Sequence, residues 1–215
     1  MAATGHFTAF ILKTIAPVLR ELGFDHKDDM FYLRREGNVA LVEFQKSRES
    51  KPDAILFTVN LGILSSRLLE FFSDRSPSSE PLFDQCHWQM RLGFLMPEQQ
   101  DKWWTLTLAT DTEILGQELA SVLHNIAMPV IEQHIRDEAL RDLWLSGQSP
   151  GLTDIQRLMN LSVLLRIHGP QARLGEIIQE LRRASANKPS ALMVEHHIQV
   201  LLPQERTRKS APENP

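Results

Sequence analysis

Six polar residues in the first half of the chain alternate with apolar ones, so their side chains are expected to share one surface. They are Glu43, Gln45, Thr58, Asn60, Gln89 and Arg91. Such a surface would present a carboxylate, amides, a hydroxyl and a guanidinium, and a guanidinium can grip a carboxylate or phosphate at two points. The pattern predicts a binding surface for a ligand or a partner. The alternative is that these residues form only the solvated face of a sheet.

Trp103 is expected to project from the same face, because it alternates with the apolar Trp104 and Leu106 in its own predicted strand. Tryptophan usually prefers burial, and an exposed one beside polar groups suits a ligand platform or a protein contact. The C-terminal helices or a partner subunit could equally cover it. The sequence leaves both explanations open.

We predict no catalytic residues, no metal site and no cofactor from the sequence. The histidines form no His-x-x-x-His pair, and the adjacent His196 and His197 cannot both face one ion from a helix. The chain contains no phosphate loop or dinucleotide fingerprint. An enzyme in which Glu43 acts as a base and Arg91 holds an anion stays an open alternative.

Composition predicts a cytoplasmic protein without a membrane segment. The hydrophobic fraction of 42% and the charged fraction of 23% are those of ordinary globular chains. Apolar runs fall short of the ~20 residues that span a bilayer, and the N-terminus lacks the basic start and apolar block of a secretory signal. Cys86 is the single cysteine, and we expect a buried small hydrophobe there rather than a reactive thiol.

Period-two alternation predicts the strands that would carry the polar surface. The predicted strands cover residues 30–34, 39–46, 56–62, 87–95 and 103–108. In the third of them, Phe57, Val59 and Leu61 face one way, while Thr58 and Asn60 face the other, as in a strand buried on one face and open on the other. Antiparallel pairing with the second strand would bring Glu43 and Gln45 beside Thr58 and Asn60.

Helical spacing predicts the elements that cover the apolar face of this sheet. A helix is expected from Thr4 to Leu22, kinked or split in two at Pro17 and ended by Gly23. A second helical stretch, capped by Asp111, should continue past a proline to about residue 145. The predicted fold class is therefore α+β, with an antiparallel sheet of about five strands, helices packed on one face and a C-terminal helical extension.

A glycine- and proline-containing segment predicts the domain boundary. We expect an α+β domain over residues 1–145, a linker over 146–151, a helical extension over 152–203 and a disordered tail over 204–215. The extension is mildly basic, which makes nucleic-acid contact a second alternative function. Glu176 and Glu180 interrupt the basic residues, and the whole chain carries a formal net charge of -4, so we do not expect nucleic acid as the partner.

Several short motifs resemble a known family. They are Leu22-Gly23-Phe24, Phe31-Tyr32, Phe44-Gln45-Lys46-Ser47, Phe57-Thr58-Val59-Asn60-Leu61-Gly62, Arg91-Leu92-Gly93 and Trp103-Trp104. In this order and spacing they resemble a bacterial family, the domain of unknown function 4304, over roughly residues 4–145. The resemblance implies an α+β domain but no established activity or catalytic residue. Small domains of this sort look like components of toxin and immunity loci, which by fold-level analogy implies a partner-binding role.

These observations lead to one functional hypothesis and its rivals. We hypothesise a cytosolic, non-enzymatic module that binds another protein through the polar sheet face, with Gln45, Asn60, Arg91 and Trp103 as contacts. The rival is a small-molecule enzyme or anion-binding protein that uses the same face. A deep pocket there would favour the rival, and a flat or filled face would favour the interaction module. The sequence sets no oligomeric state.

Overall fold

The computed structural model describes residues 3–73 and 80–202. The described chain divides between Thr153 and Asp154 into two compact units. The expected tail over 204–215 lies outside the described residues, as does most of a serine- and proline-rich loop between the third and fourth predicted strands.

One antiparallel sheet of six strands forms the centre of the first unit within the described residues. The strands are β1 (Asp25–Lys27), β2 (Met30–Arg35), β3 (Asn38–Lys46), β4 (Ala54–Leu64), β5 (Trp88–Arg91) and β6 (Trp104–Thr107). Their order is β1-β2-β3-β4-β5, and β6 also pairs with β4. The α+β fold class is confirmed. The short strand β1 is additional to the five predicted strands, and it extends the sheet by pairing with β2 over three residues.

The two central strands align their faces as predicted, with Glu43 and Gln45 beside Thr58 and Asn60. Glu43 lies opposite Asn60, and Gln45 lies opposite Thr58. On the other face of these strands, aromatic rings form a continuous set of contacts, with the Phe7 and Phe57 centroids 5.2 Å apart and those of Phe57 and Trp104 5.9 Å apart. Because successive side chains of a strand alternate between faces, this register separates an apolar face from a second, polar-containing face.

Helices of the first unit pack on both faces of the sheet, since Leu69 of one of them packs against Tyr32, Leu41 and Leu64 on the second face. They are α1 (Ala3–Phe10), α2 (Ala16–Glu21), α3 (Ser66–Ser73), α4 (Thr112–Val122), α5 (Met128–His134) and α6 (Asp137–Leu145). Helix α1 contacts β4 and β6, and α5 contacts β4. The α4 N-terminus is capped by Asp111, whose carboxylate accepts from the Glu113 and Ile114 N–H groups at 3.0 and 3.2 Å, as predicted.

A π-helical turn precedes the proline in each of the two long helical stretches. Residues Ile11–Ile15 join α1 to α2 ahead of Pro17, and residues Leu123–Ala127 join α4 to α5 ahead of Pro129. A proline lacks the N–H group of the helical ladder, and its ring clashes with a carbonyl of the preceding turn. The wider π turn accommodates both defects, so the helix continues instead of ending.

The first long helix ends as the sequence predicts. Gly23 has φ of 91°, the Phe24 N–H donates to the Leu19 carbonyl at 2.9 Å, and the Gly23 N–H donates to the Arg20 carbonyl at 2.9 Å. These two bonds define a Schellman ending, which requires a residue in the left-handed region. Glycine takes that region without steric cost, so Gly23 sets the point at which the chain turns into the sheet.

A buried asparagine joins three segments of the first unit. The Asn38 Nδ2 donates to the Ile135 carbonyl at 2.8 Å and to the Asp137 Oδ1 at 2.9 Å. Its Oδ1 accepts from the Ser66 N–H at 3.0 Å. Only 3% of Asn38 is exposed. One side chain therefore links the start of β3 to the first turns of α3 and α6.

The two predicted strands that follow the serine-rich loop are shorter than expected. Strand β5 ends at Arg91, residues Leu92–Leu95 form a 3-10 turn, and Phe94 is 47% exposed rather than inward. Strands β5 and β6 pair with the same edge of β4, one after the other. Strand β5 pairs with residues Asn60 to Ile63, and β6 pairs with residues Ala54 to Phe57. Residues 92–103 form an excursion between them. Strand β5 stops where it does because β6 occupies the rest of that edge.

The continuous helix from Thr112 to His134 has the length and apolar composition of a membrane span. Within it, 44% of the most apolar 18-residue stretch is buried inside the protein. Length and composition are weak grounds for a span, because core helices of soluble proteins meet the same criteria. Leu119, Leu123 and Ile131 of this helix are fully buried in the first unit.

The second unit is helical. Its helices are α7 (Asp154–His168), α8 (Gln171–Ser185) and α9 (Ala191–Leu201), in agreement with the predicted C-terminal helices. The Ser162 hydroxyl lies 2.8 Å from the His197 Nε2, and both residues are buried. Burial lowers the pKa of His197 to about 4, so its imidazole is neutral at pH 7 and serves as a polar contact between α7 and α9.

Candidate binding cleft

A cleft of about 520 Å³ lies on the second face of the sheet, beside β3, β4 and β5. Its lining residues are Gln45, Asn60, Phe83, Gln89, Met90, Arg91, Phe94 and Gly151. The lining includes four of the predicted site residues, namely Gln45, Asn60, Gln89 and Arg91. The strand register positions them, because the second-face residues of three adjacent strands become neighbours.

Asn60 is the central polar residue of the cleft. Its Nδ2 donates to the Glu43 Oε2 at 2.8 Å and to the Gln45 Oε1 at 2.9 Å. Only 2% of Asn60 is exposed, and its Oδ1 has no hydrogen-bond partner in the described residues. An ionised carboxylate can only accept hydrogen bonds, so the amide nitrogen must face Glu43 and the oxygen must point away from it. A buried acceptor without a donor costs about 1–3 kcal/mol.

Arg91 is paired within the protein. Its Nη1 lies 2.5 Å from the Asp101 Oδ2, and the Trp103 Nε1 donates to the same oxygen at 3.1 Å. The guanidinium carbon lies 5.3 Å from the centroid of the Trp103 ring. Asp101 thus balances the charge of Arg91, and the tryptophan ring covers one side of its guanidinium. Trp103 takes part in this group beside the cleft and does not line it.

Thr58 and Gln89 hold the segments that cover the second face. The Thr58 hydroxyl donates to the Lys102 carbonyl at 2.9 Å. The Gln89 Nε2 donates to the carbonyls of Phe83 and Cys86 at 3.1 and 3.0 Å. Thr58 is fully buried, so the expectation that this face of β4 is open to solvent is wrong. The covering loops satisfy polar groups that the sequence pattern assigned to solvent.

Two glycines allow these loops to approach the sheet closely. A Cβ at Gly62 would lie 2.6 Å from the Cys86 Sγ, and a Cβ at Gly93 would lie 2.3 Å from the Gln100 carbonyl oxygen and 2.5 Å from the Lys102 nitrogen. Glycine inside a strand pattern often marks such an approach. At Gly93 the contact fixes the path of the excursion and therefore the position of Asp101 under Arg91.

Cys86 is buried as expected, with 3% of its surface exposed. Desolvation, followed by the nearby carboxylates of Asp84 and Glu43, raises the pKa of its thiol to about 12. A thiol in this state stays protonated near neutral pH and is a poor nucleophile. Its role is to fill the space between Gly62 and the covering turn.

The native protein should accordingly react very slowly with Ellman's reagent at pH 8, and one thiol per chain should react promptly after unfolding in guanidinium chloride. The physical reason is that burial withholds both access and the thiolate. The measurement is the absorbance of the released thionitrobenzoate over time. Prompt modification of the folded protein would contradict the assignment.

A second cleft of about 520 Å³ was not predicted from the sequence. It is lined by Thr8, Ile11, Leu12, His26, Asp28, Asp29 and Lys46. The Lys46 ammonium lies 2.5 Å from the Asp29 carboxylate and 5.2 Å from the Phe7 ring centroid. Its lysine is thus paired inside the protein, and none of its lining residues has a buried polar side-chain atom without a partner. The cleft around Asn60 is therefore the stronger candidate site.

Sequence reasoning missed the residues that loops bring to the first cleft. Phe83 lies in a segment without period-two alternation, and Phe94, expected to point inward in the predicted strand over 87–95, lies in the 3-10 turn that follows β5. Asp101, which pairs with Arg91 beside the cleft, lies in the polar excursion. Gly151, expected in a linker, also lines the cleft, and the Gln89 N–H lies 3.4 Å from the Pro150 carbonyl oxygen. Proline and glycine at 150–151 predict a turn, but they do not predict which part of the fold the turn contacts. Residues 3–73 and 80–202 contain no group of three His, Cys, Asp or Glu residues placed to hold a metal ion.

The predicted basic surface of the second unit is partly neutralised by ion pairs. Arg182 donates to both carboxylate oxygens of Glu195, at 2.9 and 3.1 Å, and Arg173 pairs with Glu176. The buried Arg157 lies 3.3 Å from Glu180. These pairs leave fewer cations for phosphate contacts, which are the main source of affinity in nucleic-acid binding.

Comparison with known proteins identifies the family. The family described as domain of unknown function DUF4304 matches residues 15–133, which is more than half of the chain. The matched range contains all the strands described above and every residue that lines the cleft around Asn60 except Gly151. Searches of curated proteins and of solved structures returned no match. The family resemblance inferred from the sequence is confirmed, and the chain belongs to the DUF4304 family.

Proposed function

We propose that the protein is a non-catalytic protein-interaction module of the bacterial cytoplasm and that the cleft around Asn60 is its contact surface. The observation that carries this proposal is the buried, unpartnered Asn60 Oδ1 among the cleft residues. Buried polar groups in folded proteins are nearly always hydrogen-bonded. A donor from a bound partner would complete the set.

The rim of the cleft favours a protein over a small ligand. Gln45 is exposed, and Phe94 is 47% exposed. An exposed aromatic side chain beside a buried polar group is typical of protein contact surfaces, where aromatic residues contribute much of the binding energy. The volume of the cleft would also admit a small molecule. The pairing of Arg91 with Asp101 weighs against an anion as that molecule.

The same pairings weigh against catalysis at this face. Glu43, the candidate base, accepts a hydrogen bond from the buried Asn60, and Arg91, the candidate anion holder, is paired with Asp101. A general base must reach a substrate proton, and an electrophilic arginine must reach substrate charge. Arg91 is instead held by Asp101, and the Oε2 atom of Glu43 is held by the Asn60 amide.

Affinity capture from extracts of the source cells tests the proposal. Phe94→Glu places a charge at the cleft rim and should abolish capture of the partner that wild-type protein retains. Leu108→Glu is the matched control, because Leu108 is 58% exposed in the same unit but does not line the cleft. Equal capture by both variants and wild type would show that the partner binds elsewhere. Far-ultraviolet circular dichroism should show that both variants are folded.

A further inference from the structure

We infer that the cleft recognises a cationic side chain of the partner, the ammonium of a lysine or the guanidinium of an arginine. This inference rests on the proposed function and specifies the chemistry of its contact. It differs from the expectation raised by Arg91 alone, which would be an anion. The basis is the orientation of the polar groups around Asn60 and the balance of charge among them.

The polar groups around Asn60 present acceptors to the cleft. Both N–H groups of the Asn60 amide are used, one toward the Glu43 carboxylate and one toward the Gln45 Oε1. What remains of Asn60 is the unpartnered Oδ1. The Gln89 amide nitrogen likewise donates to two backbone carbonyls, so the side-chain oxygen of Gln89 remains as an acceptor. The remaining capacity of Asn60 and Gln89 is that of acceptors, which a ligand would meet by donating hydrogen bonds, while Gln45 keeps its donor nitrogen.

The charge beside the cleft favours a positively charged donor, because Glu43, which does not itself line the cleft, bonds the lining residue Asn60. Among the described residues, Glu43 makes no ion pair, and it is partly shielded from solvent. The opposite charge nearby, that of Arg91, is balanced by Asp101 at 2.5 Å. The site thus has an excess of one negative charge on a carboxylate at reduced solvent exposure, where electrostatic attraction is stronger than in bulk water. A neutral donor would satisfy Asn60 but not this charge.

Aromatic residues of the cleft suit the apolar part of such a side chain. Phe83 and Phe94 line the cleft together with the acceptors. Lysine and arginine bury their methylene stems on apolar surface while the charged head reaches polar groups. Aromatic faces also attract cations. One cationic side chain would therefore use both the aromatic and the acceptor groups of the cleft.

The first test is a titration of the isotope-labelled full chain, followed by the side-chain amide resonances of Asn60 and Gln45. The probes are the Nα-acetyl methylamides of lysine, arginine and norleucine, together with inorganic phosphate. We expect saturable shifts with lysine or arginine and binding at least roughly 10-fold weaker with norleucine, which matches lysine in length without the charge. Comparison of the first two probes assigns the ammonium or the guanidinium. Equal shifts with norleucine, or shifts with phosphate alone, would overturn the inference.

The second test uses variants and the cation probe that binds better. Glu43→Gln keeps an acceptor for the Asn60 amide but removes the charge, and should weaken binding roughly 10-fold. Asp84→Asn is the matched control, because Asp84 is an exposed acid near Cys86 that, unlike Glu43, accepts no hydrogen bond from Asn60. We expect it to change binding less than about 2-fold. If both variants weakened binding equally, the effect would come from general surface charge, and the inference would be overturned.

Gln45→Met supplies an independent variant in case Glu43→Gln does not fold, since Gln45 is exposed and its loss removes one partner of Asn60. It should weaken cation binding several-fold, and unchanged binding would contradict the site. The two proposals fail separately. Capture that depends on Phe94 without any cation binding would leave the interaction function and remove the cation specificity. Cation binding without Phe94-dependent capture would leave the cation specificity and remove the interaction function.

Discussion

Replacing Asn38 by leucine should lower the free energy of unfolding of the first unit by about 3 kcal/mol or more. The leucine side chain has a similar size but leaves the Ile135 carbonyl, the Asp137 carboxylate and the Ser66 N–H without their buried partner. Each orphaned group costs about 1–3 kcal/mol, and a charged group costs more. The loss should be large because one substitution orphans groups in two helices at once.

Urea unfolding followed by tryptophan fluorescence measures this change in the first unit alone. All the tryptophans of the chain, Trp88, Trp103, Trp104 and Trp144, precede the division between the units. Asn125→Leu is the matched control, since the exposed Asn125 bonds only the Ser121 hydroxyl at 3.2 Å. It should shift stability by about 0.5 kcal/mol or less. Similar midpoints for the two variants would show that the Asn38 network does not hold the unit together.

Replacing Gly93 by alanine should displace the excursion over residues 92–103 and destabilise the first unit by about 3 kcal/mol. The added Cβ would meet backbone atoms of Gln100 and Lys102 at 2.3 and 2.5 Å, and backbone cannot rotate away as a flexible side chain can. The excursion would have to move, and the Asp101 carboxylate would leave its place between Arg91 and Trp103.

Two readouts identify this displacement. The indole N–H resonance of Trp103 should shift on loss of its hydrogen bond to Asp101, and the thermal midpoint should fall. Gly175→Ala is the control, because Gly175 lies inside α8 with no atom within 4 Å of an added Cβ. There alanine should be neutral or slightly stabilising, since it favours the helix. An unchanged Trp103 resonance in Gly93→Ala would mean that the excursion tolerates the methyl group.

Alternation along the chain was sufficient to predict the central part of the sheet. It assigned Phe57, Val59 and Leu61 to one apolar face, and with antiparallel pairing it brought Glu43 and Gln45 beside Thr58 and Asn60. The reason is that a shift of one residue would expose every one of these apolar side chains. The helix ending at Gly23 was predictable for a similar reason, because few residues can adopt its backbone conformation.

The surroundings of the polar residues were not predictable in this way. Alternation tells which face a side chain takes, but not which loop later covers that face. Asp101, which pairs with Arg91, sits in a polar loop whose sequence carries no period. Thr58 looked solvated because its burial depends on a carbonyl 44 residues away along the chain. Contacts of this kind arise from tertiary structure. Local sequence patterns do not predict them, because the partners lie far apart along the chain.

The arrangement of β5 and β6 along one edge of β4 has a consequence for how related chains can vary. Both ends of the excursion over residues 92–103 are anchored by pairing with the same strand. Its length can therefore change by insertion or deletion near the exposed Pro97 to Gln99 without altering the register of either strand. Loop-closure entropy rises only slowly with length. This architecture lets members of one family keep a constant sheet while remodelling the wall beside their cleft.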